Sequence, residues 1–367
     1  MSDCIVIGGG IIGMLTALEL STAGVEVTLL ERTQTGRESS WAGGGILSPL
    51  YPWRYVPAVT QLASWGQRRY PELARELFDA TGIDAEFIAS GMLILDTEEQ
   101  DQAIRWGGQS GNRVEIIDRS ATERYEPSLD APPPRAIRMP QVGQIRNPRL
   151  VKALCAAIKP KVTVRENTEV ETVLVQRGRV QGVQTATERF AADKVVVCAG
   201  AWTRNLLAGM GTPPGIEPIR GQMILFRAEP GVVSRIVLHQ DRYAIPRQDG
   251  RVLVGSTLEH AGFDKHTTDV AREDLERAAI AMFPALAKFP IERHWAGLRP
   301  SSPDGVPYIG PYPMVEGVYL NAGHFRNGVV LAPASARLLA DILLERDPIV
   351  PPGPYAIGAP RATRINA

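Results

Sequence analysis

Glycines near the start of the chain have the spacing of a loop that holds phosphate groups. Gly8, Gly10 and Gly13 fit the pattern G-x-G-x-x-G within the segment GGGIIG. The first glycine permits a tight turn, the second lets a pyrophosphate approach the backbone, and the third lets a helix pack closely on a strand. A helix that begins directly after such a loop offers its free N–H groups and the positive end of its dipole to an anion.

A carboxylate follows where a dinucleotide-binding unit needs one. Glu31 comes directly after the apolar run VEVTLL. A carboxylate at the end of the second strand can accept hydrogen bonds from both ribose hydroxyls of an adenosine, and it repels a 2′-phosphate. The pattern therefore predicts a bound dinucleotide other than NADP. A structural glycine turn with a solvated Glu31 is the alternative.

The segments around the loop predict one βαβ unit. Residues 3–7 form a short apolar run typical of a buried parallel strand, residues 11–23 carry apolar side chains with a helical period, and residues 25–30 form a second apolar run. A loop of small residues over 36–49 follows. Because an extended FAD needs such a loop to pass its ribityl chain and flavin towards a second domain, we expect FAD rather than NAD.

The rest of the chain contains further strand and helix patterns. Strands are predicted over 162–165, 170–175, 179–184, 194–198, 219–226, 251–256 and 317–321. Helices are predicted over 58–81, 268–288 and 328–345. The last strand, glycine loop and helix are expected to complete the N-terminal sheet, which makes the cofactor domain discontinuous.

Composition excludes several classes of function. Forty basic residues balance forty acidic ones, so no overall basic field favours a nucleic acid or an anionic membrane. No transmembrane segment or signal peptide is expected. Cys4, Cys155 and Cys198 lie far apart in apolar runs, so we expect buried thiols and no metal site. This sparse use of cysteine is consistent with a cytoplasmic, reducing compartment.

Four segments carry a resemblance to a known family. They are VIGGGIIG at 6–13, ESSWAGGGIL at 38–47, WAGLRPSSPDGVPYIG at 295–310 and AGHFRNGVVLAP at 322–333. In these segments the chain resembles the D-amino acid oxidase family of flavoenzymes, and within it the glycine-oxidising branch that serves thiamine synthesis. Weaker support comes from VVVCAGAW at 195–202 and YAIPRQDGRVLVGSTLE at 243–259. The match spans nearly the whole chain.

The resemblance implies an α/β fold, α+β overall, with a discontinuous Rossmann-type FAD-binding domain and a second domain that binds substrate on an antiparallel sheet. The expected FAD-binding domain comprises residues 1–85, 144–216 and 299–367, and the expected substrate domain comprises residues 86–143 and 217–298.

The resemblance also implies which residues contact FAD. The residues expected at the adenosine diphosphate half are Ile11, Ile12, Glu31 and Arg32, with the backbone of Val170 at the adenine. The residues expected along the ribityl chain and flavin are Ser39, Ser40, Gly44, Gly45 and Ile46. Those expected along the pyrimidine edge of the flavin are His324, Phe325, Arg326, Asn327, Gly328, Val329 and Val330.

Three residues are expected to face the substrate. Arg299 suits a carboxylate clamp because a guanidinium forms two parallel hydrogen bonds that fix both angle and distance. Tyr243 would donate its hydroxyl to the same carboxylate, and Arg326 would contact either substrate or flavin. His324 is expected to be structural. No side chain is expected to act as a general acid or base, because a hydride transfer from a neutral amine to flavin depends mainly on orientation.

Two details bear on the pocket and the cofactor linkage. Relatives place a methionine or another bulky apolar residue near the positions of Leu258 and Ile46, which leaves the size of the pocket open. No cysteine lies near the C-terminal flavin segment, so we expect non-covalent FAD.

The expected reaction is oxidation of glycine, sarcosine or small D-amino acids by oxygen, giving a 2-oxo acid, ammonia or an amine, and hydrogen peroxide. The expected partners are a small amine or amino acid and oxygen, and the resemblance implies a homotetramer. The alternatives are a D-amino acid dehydrogenase with a quinone or protein acceptor, a sarcosine oxidase-like enzyme, a flavin-dependent tRNA-modification factor and a non-catalytic flavin-bound subunit.

Overall fold

The computed structural model describes residues 2–361 and shows two large β-sheets with helices packed against them. The strands, in chain order, are β1 (Ser2–Ile7), β2 (Val27–Leu30), β3 (Met92–Ile94), β4 (Glu115–Asp118), β5 (Arg135–Met139), β6 (Thr163–Arg165), β7 (Val170–Gln176), β8 (Arg179–Thr185), β9 (Arg189–Val197), β10 (Glu217–Phe226), β11 (Ile236–His239), β12 (Arg242–Pro246), β13 (Val252–Gly255), β14 (Ile291–Ser301), β15 (Tyr308–Pro311) and β16 (Val318–Ala322). The α-helices are α1 (Ile11–Thr22), α2 (Ser39–Ala42), α3 (Pro57–Thr81), α4 (Gln100–Ser110), α5 (Arg119–Tyr125), α6 (Asn147–Ile158), α7 (Thr203–Leu206), α8 (Asp269–Met282) and α9 (Gly328–Leu343).

The first sheet has a parallel centre. Its strand order is β15-β16-β9-β1-β2-β6, and the four pairs from β16 to β6 are parallel. At one edge β15 pairs antiparallel with β16, while β7, β8 and β9 form an antiparallel extension. The loops that follow β1, β2, β9 and β16 therefore leave the same edge of the sheet, where ligands bind in folds of this kind.

Strand β1 is buried on both faces, which explains its continuous apolar run. Cys4 and Val6 pack into a cluster with α1, α3, α6 and α9. Ile5 and Ile7 point the other way and pack with side chains of β7, β8 and β16. This alternation follows from the two-residue period of a strand, and it fixes the glycine loop after β1 at the edge of the sheet.

The second sheet has the order β14-β10-β13-β12-β11-β3-β5-β4. Its pairs are antiparallel, except that β3 runs parallel to β11. Leu275, Ala279 and Met282 of α8 cover one face. Met223 and Tyr243 belong to the apolar cluster on the other face, which lies towards the candidate site.

The predicted mixed α/β fold with two sheets is confirmed, and two local predictions need correction. The helix predicted over 268–288 ends at Met282, because Pro284 cannot continue it, and residues 284–288 form a separate 3₁₀ turn. The predicted loop over 36–49 contains the short helix α2. The division into the two domains given above stays a prediction.

The sequence led us to expect buried cysteines, no transmembrane segment and no metal site, and the structure bears on each of these. Cys4 and Cys198 are buried, whereas Cys155 is only half-buried beside Thr35 and Met14. Between residues 2 and 361, no helix is both long and apolar enough to cross a membrane. Within the same range, no group of three or more His, Cys, Asp or Glu side chains could hold a metal ion.

A candidate active site at the edge of the parallel sheet

A cavity of about 540 Å³ opens at the carboxyl edge of the first sheet. This volume lies within the range of small-molecule pockets, roughly 300–1,000 Å³. Most of the residues expected at FAD or substrate line its wall. They are Gly8, Gly10, Ile11, Ile12, Glu31, Arg32, Ser39, Ser40, Val170, Arg299, His324, Phe325, Arg326, Gly328 and Val329. The cavity therefore joins segments from both ends of the chain.

The glycine loop needs glycine at two positions. Gly8 has a φ of 107°, and a Cβ there would lie 2.4 Å from the carbonyl oxygen of Cys198. A Cβ on Gly13 would lie 1.9 Å from the carbonyl oxygen of Gly8. Gly13 lies beneath the loop and does not line the cavity. It lets α1 pack against β1, so that Ile11 begins the helix at the cavity wall.

Two side chains complete the loop. The backbone N–H of Ile11 donates a 2.8 Å hydrogen bond to Ser40 Oγ. Glu31 is buried, and its carboxylate accepts hydrogen bonds from the backbone N–H of Gly9 at 2.7 Å and of Thr33 at 3.0 Å. Glu31 thus orders the glycine loop in addition to lining the cavity.

Arg32 lies at the rim of this end of the cavity. Its Nη2 is 2.9 Å from Glu38 Oε1, and its guanidinium lies 3.5 Å from the centre of the Trp202 ring. The Phe263 ring lies 5.5 Å from Trp202, and Lys265 Nζ is 3.2 Å from Glu38. A loop between β13 and α8 therefore reaches across to the wall of the cavity.

The segment expected along the flavin lies partly behind the cavity wall. Gly44, Gly45 and Ile46 do not line the cavity in this structure. Ile46 pairs with Gln144 in an antiparallel bridge, and the carbonyl of Gly45 accepts a 2.9 Å hydrogen bond from Ile145. Their contact with FAD stays a prediction.

Arg247 anchors this segment from the second sheet. Its guanidinium is buried and donates hydrogen bonds to the carbonyl oxygens of Gly44, at 2.7 Å, and Ile145, at 3.3 Å. Burial is the main cause that lowers the pKa of Arg247, to about 10. Sequence reasoning did not identify Arg247, because its partners, two backbone carbonyls and the side-chain oxygen of Gln144, come from segments distant in the chain.

Arg299 presents a partly buried cation to the cavity. Its guanidinium donates to the carbonyl of Thr257 at 3.1 Å and to Ser256 Oγ at 2.7 Å. Within residues 2–361, no acidic side chain forms an ion pair with it. Burial is the main cause that lowers the pKa of Arg299 to about 10, and the nearby Arg326 cation acts in the same direction. Arg299 is therefore still charged at neutral pH and lacks a carboxylate partner.

Tyr243 and Arg326 lie near Arg299. Tyr243 is buried. Its hydroxyl favours the charged form of Arg299, and Tyr55 from the segment before α3 acts in the same direction on the pKa of Arg299. Arg326 comes from the turn before α9 and lines the same cavity. Of the three residues expected at the substrate, Arg299 and Arg326 line the cavity, whereas Tyr243 lies near Arg299 without lining it. Tyr55, which sequence reasoning missed, also lies near Arg299 and does not line the cavity.

His324 is buried, and its Nε2 lies 3.0 Å from Ser335 Oγ. Burial lowers the pKa of His324 to about 3, so the ring is neutral at ordinary pH. These contacts agree with a structural histidine. Asn327 and Val330 are buried in the turn and first turn of α9 and do not line the cavity.

The cavity wall also contains residues that were not predicted. They include Thr168, Glu169, Glu171, Trp202, Asn205 and Leu206. Trp202 belongs to the segment AGAW at 199–202, which the sequence marks only through the family resemblance. The sheet order gives the missing reason, because β9 lies directly beside β1 and its following loop shares the same edge.

Leu258 and Met223 bear on the size of the pocket, which the sequence left open. Leu258 is 38% exposed. Met223 reaches the region from β10 instead, and its Cε lies 3.3 Å from where a Cβ on Gly44 would be. A methionine is therefore present near the flavin segment, from a strand that the resemblance did not indicate.

Comparison with known proteins decides the family. The model of the family described as DAO, FAD dependent oxidoreductase, matches residues 3–342. The chain belongs to this family. It is 49% identical over 354 residues to a glycine oxidase of Pseudomonas putida, covering 96% of this chain and 97% of that protein. It is 31% identical over 372 residues to the bifunctional protein ThiO/ThiG of a Nostoc species, covering 99% of this chain and 56% of that protein.

A solved structure gives the same result. The crystal structure of glycine oxidase from Geobacillus kaustophilus superposes with a TM-score of 0.93 at 28% identity, covering 98% of this chain and 99% of that one. The enzyme is thus an FAD-dependent amino acid oxidase, and the expected cofactor is confirmed.

The residues present fit FAD. A Cβ on Gly10 would meet only Ser40 Oγ, at 3.1 Å, so the backbone is open to a ligand there. The first turn of α1 contains no acidic side chain that would repel a phosphate. The polar and backbone groups from Gly8 to Arg32 can hold the adenosine diphosphate half, and the cavity continues to Arg299 and Arg326.

Proposed function

We propose that this enzyme oxidises glycine and other small amines, including sarcosine and small D-amino acids, with oxygen as acceptor. The observation that carries the proposal is Arg299, a partly buried cation at the cavity that has protein hydrogen bonds but no acidic partner among residues 2–361. A substrate carboxylate supplies the missing negative charge. A planar guanidinium binds that carboxylate through two hydrogen bonds and fixes its angle.

When bound by the residues around the glycine loop, FAD would supply a two-electron acceptor for the hydride on Cα of the amine, with oxygen as the final acceptor. Arg299 and Tyr243 hold the carboxylate, and Arg326 adds positive charge at the same end. For glycine, the products are glyoxylate, ammonia and hydrogen peroxide, with one water consumed in hydrolysis of the imine. This chain contributes orientation, and burial lowers the pKa of His324 to about 3, which makes its ring too weak a base to take the proton of the amine.

The cysteine contacts support non-covalent FAD. Cys198 lines the cavity, but it lies beside the glycine loop, where its Cβ is 3.3 Å from the position of a Cβ on Gly13. Burial raises the pKa of the Cys198 thiol well above its usual range, so it is not a thiolate. We expect acid or heat to release intact flavin from the yellow protein.

The biological setting is part of the same proposal. Resemblance supports a role in forming the glycine-derived part of the thiazole of thiamine. We propose that the enzyme acts in the cytoplasm and that it is a homotetramer. We expect size-exclusion chromatography with light scattering to give four copies, and a smaller assembly would contradict that number.

A substrate panel tests the proposal. Purified enzyme is assayed for hydrogen peroxide with glycine, sarcosine, D-alanine, D-proline and N-ethylglycine. We expect peroxide with glycine and at least one of the others. Substrate-dependent reduction of the flavin without peroxide, relieved by a quinone, would instead indicate a dehydrogenase.

A further inference from the structure

The guanidinium of Arg299 packs against the backbone of a glycine, Gly221. A Cβ on Gly221 would be 2.0 Å from Nη1, 2.2 Å from Nη2 and 2.3 Å from Cζ of Arg299. The group therefore occupies the space that any other residue at position 221 would fill. Gly221 is buried in β10, so the contact belongs to the interior of the site.

The sheet register explains the contact. In the antiparallel pair of β10 and β14, Ile219 lies opposite Arg299 and Gly221 lies opposite Gly297. Gly221 is thus the diagonal neighbour of Arg299 on one face of the sheet, within reach of a long side chain. Its missing side chain lets the guanidinium lie down along β10.

Gly297, on the same face of the sheet, lies against α2 instead of against Arg299. A Cβ there would lie 2.6 Å from the Cβ of Ala42 in α2. Trp295 Nε1 also donates a 3.1 Å hydrogen bond to the carbonyl of Ala42. Gly297 thus leaves room for α2, the helix that carries Ser39 and Ser40, whereas Gly221 leaves room for the guanidinium of Arg299.

We propose that Gly221 is a positioning residue that seats the Arg299 guanidinium for the substrate carboxylate and thereby sets the affinity for small amino acids. This inference rests on the proposed function. The clashing atoms are the far end of a flexible side chain, so a methyl group at position 221 is accommodated by moving Arg299. The cost therefore falls on substrate binding more than on folding.

The first test is Gly221→Ala. Because a misplacement of about 1 Å in a positioning group costs up to about 100-fold, we expect kcat/KM for glycine to fall by about 10- to 100-fold, mainly through KM. Methylamine, which is glycine without its carboxylate, should change by less than about threefold, an effect small on the energy scale of one hydrogen bond. Acetate serves as a probe of the carboxylate site. The Gly221→Ala holoenzyme should need a higher acetate concentration than the wild-type holoenzyme to change its flavin absorbance, and its affinity for FAD should be unchanged. Gly108→Ala in α4, where a Cβ meets nothing within 4 Å, is the matched control.

A double-mutant cycle separates this role from a structural one. If Gly221 acts through Arg299, adding Gly221→Ala to Arg299→Ala causes no further loss with glycine. Additive losses would overturn the inference, as would an unchanged KM in Gly221→Ala. If Arg299→Ala itself lowers glycine and methylamine turnover equally, the result contradicts the proposed role of Arg299 as the carboxylate clamp, separately from the role of Gly221.

The same cycle remains decisive if Gly221→Ala purifies without flavin or unfolds. Recovery of flavin content and Tm in the double variant, to the level of Arg299→Ala, would support the contact, because the clashing group has been removed. Failure of both variants would overturn the inference, since Gly221 would then serve the fold and not Arg299.

Discussion

The two ends of the cavity are built in different ways. The end near Gly8 consists largely of backbone from the first βαβ unit, closed by Glu31 and Ser40. The end near Arg299 consists of side chains from β14 and the turn before α9, and Tyr243 of β12 lies near Arg299 without lining the cavity. In our proposal, the first end binds the phosphates and the ribose that every FAD shares, whereas the second end binds one small substrate. Cofactor affinity and substrate specificity should therefore respond to different substitutions.

Arg299→Ala should have the largest effect and should act only at the substrate end. Loss of this partly buried charged partner of the substrate is expected to cost about 2–4 kcal/mol in kcat/KM for glycine. Methylamine turnover and the FAD dissociation constant should change much less. Arg299→Lys should also be impaired, because an ammonium group lacks the planar fork. Steady-state kinetics with both amines test this, and equal losses for both would place Arg299 in the fold or at the flavin.

Glu31→Ala should act only at the cofactor end. Removing its charged hydrogen bonds is expected to cost about 1.5–3 kcal/mol, or roughly tenfold to a hundredfold in FAD affinity. The ratio of glycine to sarcosine turnover in the remaining holoenzyme should stay the same. FAD titration of the apoprotein measures the affinity, with Glu26→Ala, at an exposed residue before β2, as control. An unchanged dissociation constant would remove Glu31 from the cofactor site.

Trp202→Ala should have a smaller effect at the same end. The substitution removes the ring under the Arg32 guanidinium, a contact worth about 0.5–2 kcal/mol. We expect faster FAD dissociation with unchanged amine preference, measured by the return of flavin fluorescence after dilution. A change in KM for glycine without any change in FAD release would show that Trp202 belongs to the substrate end.

His324→Gln should have the smallest effect on activity and a visible effect on acid stability. Burial holds the pKa of His324 at about 3 in the folded protein, below the ordinary value of about 6.5 in the unfolded chain. The unfolded chain therefore binds a proton first, and the stabilisation present above pH 6.5 is lost as the pH falls towards 3. Thermal melts across this window should show a shallower decline for His324→Gln. An equally steep decline would assign the acid sensitivity to other groups.

The cofactor end was predictable because it is local in sequence. Gly8, Gly13 and Glu31 lie within one βαβ unit whose strands and helix have clear apolar periods. The substrate end was predictable only where a resemblance named Arg299 and Tyr243. Tyr55, Arg247 and Gly221 carry no local pattern that marks them.

Their positions depend on which strands become neighbours. The contact of Gly221 with Arg299 follows from the register of β10 against β14, and the bonds of Arg247 follow from the approach of residues 44 and 145. The short strands β3, β4 and β5 were missed for a related reason. Arg135 and Arg138 interrupt the apolar pattern of β5, and β3 has only three residues. The sheet stabilises these strands through long-range pairing.

Anaerobic mixing of the yellow holoenzyme with glycine tests the central claim most directly. We predict that glycine alone bleaches the oxidised flavin, and that admission of air restores the colour with one hydrogen peroxide formed for each glyoxylate. Arg299→Ala should bleach only at much higher glycine concentration. Flavin that stays oxidised in the presence of glycine, or reduced flavin that persists in air until a quinone is added, would contradict a glycine-oxidising enzyme with oxygen as acceptor.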